Sequence, residues 1–90
     1  MNQELFYEKY RRLSEQDENI QTCINTILLF EKFINKEVEK STIEDIKNYS
    51  KYLIDHNLNI YQNYIHIARY YYYIDLKEHY IHMTKYFNSH

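Results

Sequence analysis

Ninety residues pass without one glycine or proline. Tight β-hairpins are built around glycine, asparagine or aspartate at positive φ, so a strand-rich fold of this length is disfavoured without glycine. A helical domain needs neither residue, because asparagine can end a helix in the left-handed conformation. The expected fold is therefore all-α, a compact four- to five-helix bundle forming one domain over residues 1–90. The missing glycine also excludes phosphate-cradling loops and nucleophile elbows, and no paired-carboxylate arrangement takes their place. The chain alone is expected not to be an enzyme and to need no cofactor.

A chain this short buries only about 60% of the surface its unfolded form exposes, so apolar content decides whether it folds. Hydrophobic residues make up 44%, including four phenylalanines and twelve tyrosines, which favours a packed core over disorder. Tyrosine adds bulk with a hydroxyl that needs a partner, which places many of them at half-buried positions or at an interface. Eleven basic against thirteen acidic side chains give a formal net charge of −2. Isolated nucleic-acid-binding domains are usually strongly basic, since phosphate neutralisation dominates their affinity. Residues 1–40 carry six basic and eight acidic groups and residues 41–90 five of each, so acidity concentrates at the N-terminal end.

The single cysteine, Cys23, cannot form an intramolecular disulfide and suits a reducing cytoplasmic setting. It lies on an apolar stripe and reads as a small core residue. No apolar run approaches the ~20 residues of a membrane span. The opening Met1-Asn2-Gln3-Glu4 lacks the charged and apolar regions of a signal peptide. A soluble cytoplasmic protein is expected.

Apolar spacing and capping residues divide the chain into five helices. The first is expected from about Asn2 to Leu13, an extra N-terminal helix with Leu5, Phe6, Tyr10 and Leu13 on one side. Ser14 or Asp17 caps the second, which runs to about Lys36 and buries Ile20, Cys23, Ile24, Ile27, Phe30 and Ile34. Leu28, Leu29 and Phe33 extend its apolar surface most of the way round. Such a helix is either central or pressed against a partner, and the first helix is expected to cover the extra face.

Ser41 and Glu44 read as a capping box for a third helix that buries Ile43, Ile46, Tyr49, Leu53 and Ile54 and ends at Asn57. Asn59, with Gln62, caps the fourth, which turns Ile60, Tyr64, Ile67, Tyr71 and Ile74 inward, flanked by Ile65, Ala68 and Tyr72. At ~100° per residue the tyrosine run splits, with Tyr71 and Tyr72 expected inside and Tyr70 and Tyr73 outside. Asp75 and Glu78 read as a third box for a fifth helix, where Leu76, Tyr80, Met83 and Phe87 recur at coiled-coil spacing.

From Thr42 the chain reads Thr-Ile-Glu-Asp-Ile-x-x-Tyr-x-x-Tyr-Leu, then an asparagine-rich turn, then Ile65-x-x-x-Arg69-x-Tyr71-Tyr72. A helix ending Ile27-x-x-Phe30-x-x-Phe33-Ile34 precedes it. This order, over about Asn19 to Ile74, resembles the SAM-like core-binding domain of phage-integrase-type tyrosine recombinases. The resemblance implies a non-catalytic domain that clamps duplex DNA, with strand cleavage and its tyrosine nucleophile in a separate domain. Carried over by position, Gln62, Asn63, His66, Arg69 and Tyr70 on the fourth helix would face DNA, and Lys47 and Lys51 on the third would supply backbone charge. Amide, imidazole and guanidinium groups can bond base edges, and a tyrosine hydroxyl can bond phosphate.

Two further readings compete. The acidic balance, the extra apolar face of the second helix and the heptad-like fifth helix suit a protein-interaction or dimerisation module, with Leu29, Phe33 or the fifth helix as the contact. Separately, Glu78, His79 and His82 share one side of the fifth helix, and His-x-x-His can ligate metal. A structural site needs four converging ligands and a catalytic one three, so no metal site is expected.

Overall fold

The structure, a computed structural model, describes the backbone of residues 1–12 and 17–89 and the side chains of residues 1–11 and 19–85. It is helical, and no strand occurs among the described residues. Helix α1 spans Gln3–Arg12, α2 Asp17–Ile34, α3 Ile43–Asp55, α4 Ile60–Tyr73 and α5 Lys77–Ser89, with a single 3-10 turn at Val38–Lys40 between α2 and α3. Leu13, Ser14 and the side chains of Asp17 and Phe87 lie outside what is described.

Three helices end on a left-handed residue that is not glycine: Asn35 (φ 59°), Asn57 (φ 55°) and Asp75 (φ 63°). Short polar side chains tolerate this conformation best after glycine. At α3 the Asn57 N–H donates to Ile54 O (3.1 Å) and the Leu58 N–H to Leu53 O (2.8 Å). The same pair of bonds closes α4, from Asp75 to Tyr72 O (3.3 Å) and from Leu76 to Tyr71 O (3.0 Å). Both are Schellman motifs, and Asn35 closes α2 through the single bond to Glu31 O (2.8 Å). Asp75 thus terminates α4 instead of capping the fifth helix with Glu78, and Asn35 stops α2 before Lys36.

The N-terminal caps follow one expectation and correct another. Asn59 Oδ1 accepts from the Gln62 N–H (2.9 Å) at the start of α4. At α3 the box is one residue further on than Ser41 and Glu44. Thr42 Oγ1 accepts from the Asp45 N–H (3.1 Å), and Asp45 Oδ2 accepts from the Thr42 N–H (2.8 Å). Ser41 is unavailable because its hydroxyl turns inward and donates to Val38 O (2.6 Å). Burial pushes the Asp45 carboxyl up, but Lys36 at 2.9 Å and the bonds with Thr42 more than offset this and hold it below the usual carboxylate value.

The core lies around α2 and α4, which pack on each other, with α1 and α3 against α2 and α5 against α4. Ile20, Cys23, Ile24, Ile27 and Phe30 of α2 are buried with Ile46, Tyr49 and Leu53 of α3 and Tyr64, Ile67 and Tyr71 of α4. Phe6 and Tyr10 join from α1, and Met83 joins from α5, which docks on the body through it. Leu5 and Ile54, expected inside, are exposed, and Ile34 and Ile43 are half-buried. The α1 helix packs on α2 but leaves its extra apolar face uncovered, with Leu28, Leu29 and Phe33 exposed, while Phe6 and Tyr10 also pack toward Tyr70 and Tyr73 of α4.

Candidate functional site

The set drawn from the fourth helix divides in two. Gln62 and Arg69 of α4 are exposed, as are Lys47 and Lys51 of α3. Asn63 is half-buried, and its Nδ2 donates to Asn59 O (2.8 Å). His66 and Tyr70, expected on the solvent face, are only 9% and 2% exposed. The cause is the neighbours of α4: Cys23 Sγ of α2 reaches His66 O (3.5 Å), and the Phe6 ring of α1 lies 5.2 Å from that of Tyr70. Tyr72, expected inside, is 70% exposed, and Tyr73 is half-buried.

Burial determines the chemistry of these groups. No described residue hydrogen-bonds His66 Nδ1, and burial, with the charge of Arg69, holds its imidazole below its ordinary pKa. The Tyr70 hydroxyl donates to Glu39 Oε2 (3.4 Å), and burial and Glu39 push its pKa up. Glu39 Oε1 also lies 3.5 Å from the Met1 ammonium, which Glu31 Oε2 meets at 2.6 Å while accepting from the Val38 N–H (2.8 Å). Desolvation lowers the pKa of that ammonium, but the two carboxylates outweigh it and the net shift is upward. Burial pushes the Cys23 thiol up to about 12, so it stays protonated and unreactive.

Two buried tyrosines of α4 are satisfied in the same way. The Ser41 hydroxyl donates to Val38 O, so the Tyr71 hydroxyl, 2.5 Å away, donates to Ser41 Oγ. One heptad earlier, the Tyr64 hydroxyl meets Ser50 Oγ, which donates to Ile46 O (2.8 Å). Each pair ties α4 to α3 or to its leading turn. His79 of α5 completes the first cluster, with its ring 5.0 Å from Tyr71 and Nε2 donating to the Ser41 carbonyl (2.6 Å). A serine, a tyrosine and a histidine therefore converge, but no described base faces the serine hydroxyl, whose proton is already committed to a carbonyl. Nucleophilic activation needs that base. No group of three or more His, Cys, Asp or Glu able to hold a metal occurs among the described residues, and His79 is tied to Ser41.

Two grooves remain. The first, about 410 Å³, lies between α2 and α3 and is lined by Leu29, Lys32, Phe33, Tyr49, Tyr52 and Leu58. Phe33 packs at 5.1 Å on Tyr49 and 4.9 Å on Tyr52, yet stays 40% exposed, beside Leu29 at 60% and Leu58 at 48%. The second, about 510 Å³, lies between α1, α4 and α5, among Tyr10, Ala68, Arg69, Tyr72, Tyr73 and Tyr80. The apolar residues of the first were visible as an overfull helix stripe. The second escaped notice because it joins tyrosines of three helices, although Ile65, Ala68, Arg69 and Tyr72 follow one another at helical spacing.

Comparison with protein-family models, curated protein sequences and solved structures finds no match. No helix among the described residues is long and apolar enough to cross a membrane.

Proposed function

We propose that this chain is a non-catalytic helical interaction module that associates with a second copy of itself through the groove between α2 and α3. The observation that carries this reading is the contiguous exposure of Leu29, Phe33 and Leu58 around a cleft floored by Tyr49 and Tyr52. Scattered exposed apolar residues are ordinary, whereas a joined patch with its own cleft is the form an interface takes. A two-fold dimer needs one patch that complements itself, and this face offers both a projecting leucine and a groove to receive it. The free thiol of Cys23 fits a reducing cytoplasmic setting for the module.

Sedimentation velocity over a wide concentration range tests the proposal. The wild-type chain should move from monomer to dimer, and Leu29→Glu should remain monomeric with an unchanged helical circular-dichroism spectrum. A wild-type chain that stays monomeric throughout would overturn it.

Duplex DNA binding is the second reading, and with it the finer view of the bundle as a SAM-like core-binding domain. The exposure of Gln62, Arg69, Lys47 and Lys51 favours it, while the burial of His66 and Tyr70 and the net charge of −2 count against it. Titration with a mixed-sequence duplex at low salt distinguishes the two readings. Salt-sensitive NMR shifts confined to those four residues would support DNA binding.

A further inference from the structure

We infer that the groove between α1, α4 and α5 is a binding site for a small aromatic carboxylate. Two pairs of tyrosines frame it. Tyr72 and Tyr80 have ring centroids 5.2 Å apart, and Tyr10 and Tyr73 have theirs 5.9 Å apart. Between them the methyl side chain of Ala68 leaves the space that a larger residue would fill. A volume of about 510 Å³ falls within the usual range for small-ligand clefts, roughly 300–1,000 Å³, and walls of this kind are what such ligands bury against.

The charge of the lining selects the ligand class. Among the described residues, Arg69 is the one charged residue bordering the groove, no acidic residue shares the lining, and no carboxylate pairs with its guanidinium. Lys9 adds a second positive charge nearby, with Nζ 5.1 Å from the Tyr73 ring centroid. A guanidinium with no described carboxylate partner, at the edge of an aromatic cleft, matches one carboxylate attached to a flat apolar body. The carboxylate takes the fork of Arg69, and the rings of the ligand stack with Tyr72 and Tyr80. A polyanion such as nucleic acid would need a row of cations that the described lining lacks.

This site is separate from the groove proposed for self-association and shares no residue with it. The test is an NMR titration of the full chain with 2-naphthoate, alongside uncharged 2-naphthylmethanol. Saturable shifts should centre on Arg69, Tyr72, Tyr80 and Thr84. Arg69→Gln and Tyr72→Ala change exposed side chains, so both should keep the wild-type spectral dispersion. Arg69→Gln should weaken 2-naphthoate by about tenfold or more, as loss of a charge-assisted bond does, and the alcohol should bind wild type comparably weakly. Tyr72→Ala should weaken both ligands. Absence of saturation at millimolar 2-naphthoate, equal binding of acid and alcohol, or shifts centred on Leu29 and Phe33 would overturn the assignment. Tighter binding of a single-stranded oligothymidylate at the same residues would overturn it too.

Discussion

Helix α2 leaves two leucines and a phenylalanine in water, whereas α4 takes a histidine and three tyrosines out of it. The two helices pack on each other, yet they break the usual inside–outside pattern in opposite directions. In α4 the departure is largely repaid within the fold: Tyr64 and Tyr71 give their protons to serines, and Tyr70 gives its proton to Glu39. A buried hydroxyl with a partner costs little, so bulk decides and the tyrosines go inside. In α2 the described fold covers Phe33 only in part, through Tyr49 and Tyr52, and leaves most of Leu29 in water. That asymmetry separates a structural feature from a candidate interface.

The largest effect expected from disturbing this contrast is at Tyr71, which is fully buried. Tyr71→Ala should cost about 3–5 kcal/mol in urea denaturation, the range for removing a buried ring. Tyr71→Phe keeps the ring and loses only the bond to Ser41, so about 1 kcal/mol is expected. Comparable losses for the two variants would show that the hydroxyl relay, and not the ring, holds α4 in place.

His66 is one exception within α4, since its Nδ1, like the Tyr73 hydroxyl, has no described partner. Its folded pKa is depressed below the ordinary imidazole value of 6.5, so the unfolded chain takes up a proton first as pH falls. Stability should be complete at neutral pH and decline as pH drops through 6.5 toward the lowered folded value. Burial, with the charges of Lys47, Lys85 and His79, shifts His82 in the same direction and adds to this slope. His66→Leu should flatten the curve of stability against pH, measured by denaturation from pH 7 to pH 5. An unchanged slope would place the acid sensitivity elsewhere.

The smallest effect on the monomer is expected in α2. Leu29→Glu alters an exposed position and should move monomer stability by no more than about 0.5 kcal/mol. A loss of several kcal/mol would mean that Leu29 is a core residue and that the comparison fails.

Class and element order were legible because they rest on local rules. The absence of glycine pointed to helices, and Asn57 and Asn59 marked the α3–α4 turn because each performs a local backbone task. The same logic misplaced Asp75 and Ser41, whose type suits two roles. Asp75 can cap a helix or close one, and Ser41 can cap a helix or accept a proton from Tyr71 thirty positions away. Only the packed structure chooses between them. The choice among Tyr70 to Tyr73 depended on which sides of α4 its neighbours occupy, and a single-helix wheel carries no such information. The candidate DNA face lost His66 and Tyr70 for that reason. The α2 patch was readable from its own stripe, while the groove around Arg69 draws on three helices at once.

The most direct test of the central claim is an isotope-filtered NOE experiment on a mixture of labelled and unlabelled chain at a concentration favouring association. The account predicts intermolecular contacts from the Leu29 methyl groups of one protomer to the partner's Phe33 and the partner's Leu58. Contacts centred instead on α5, or none at all, would contradict it.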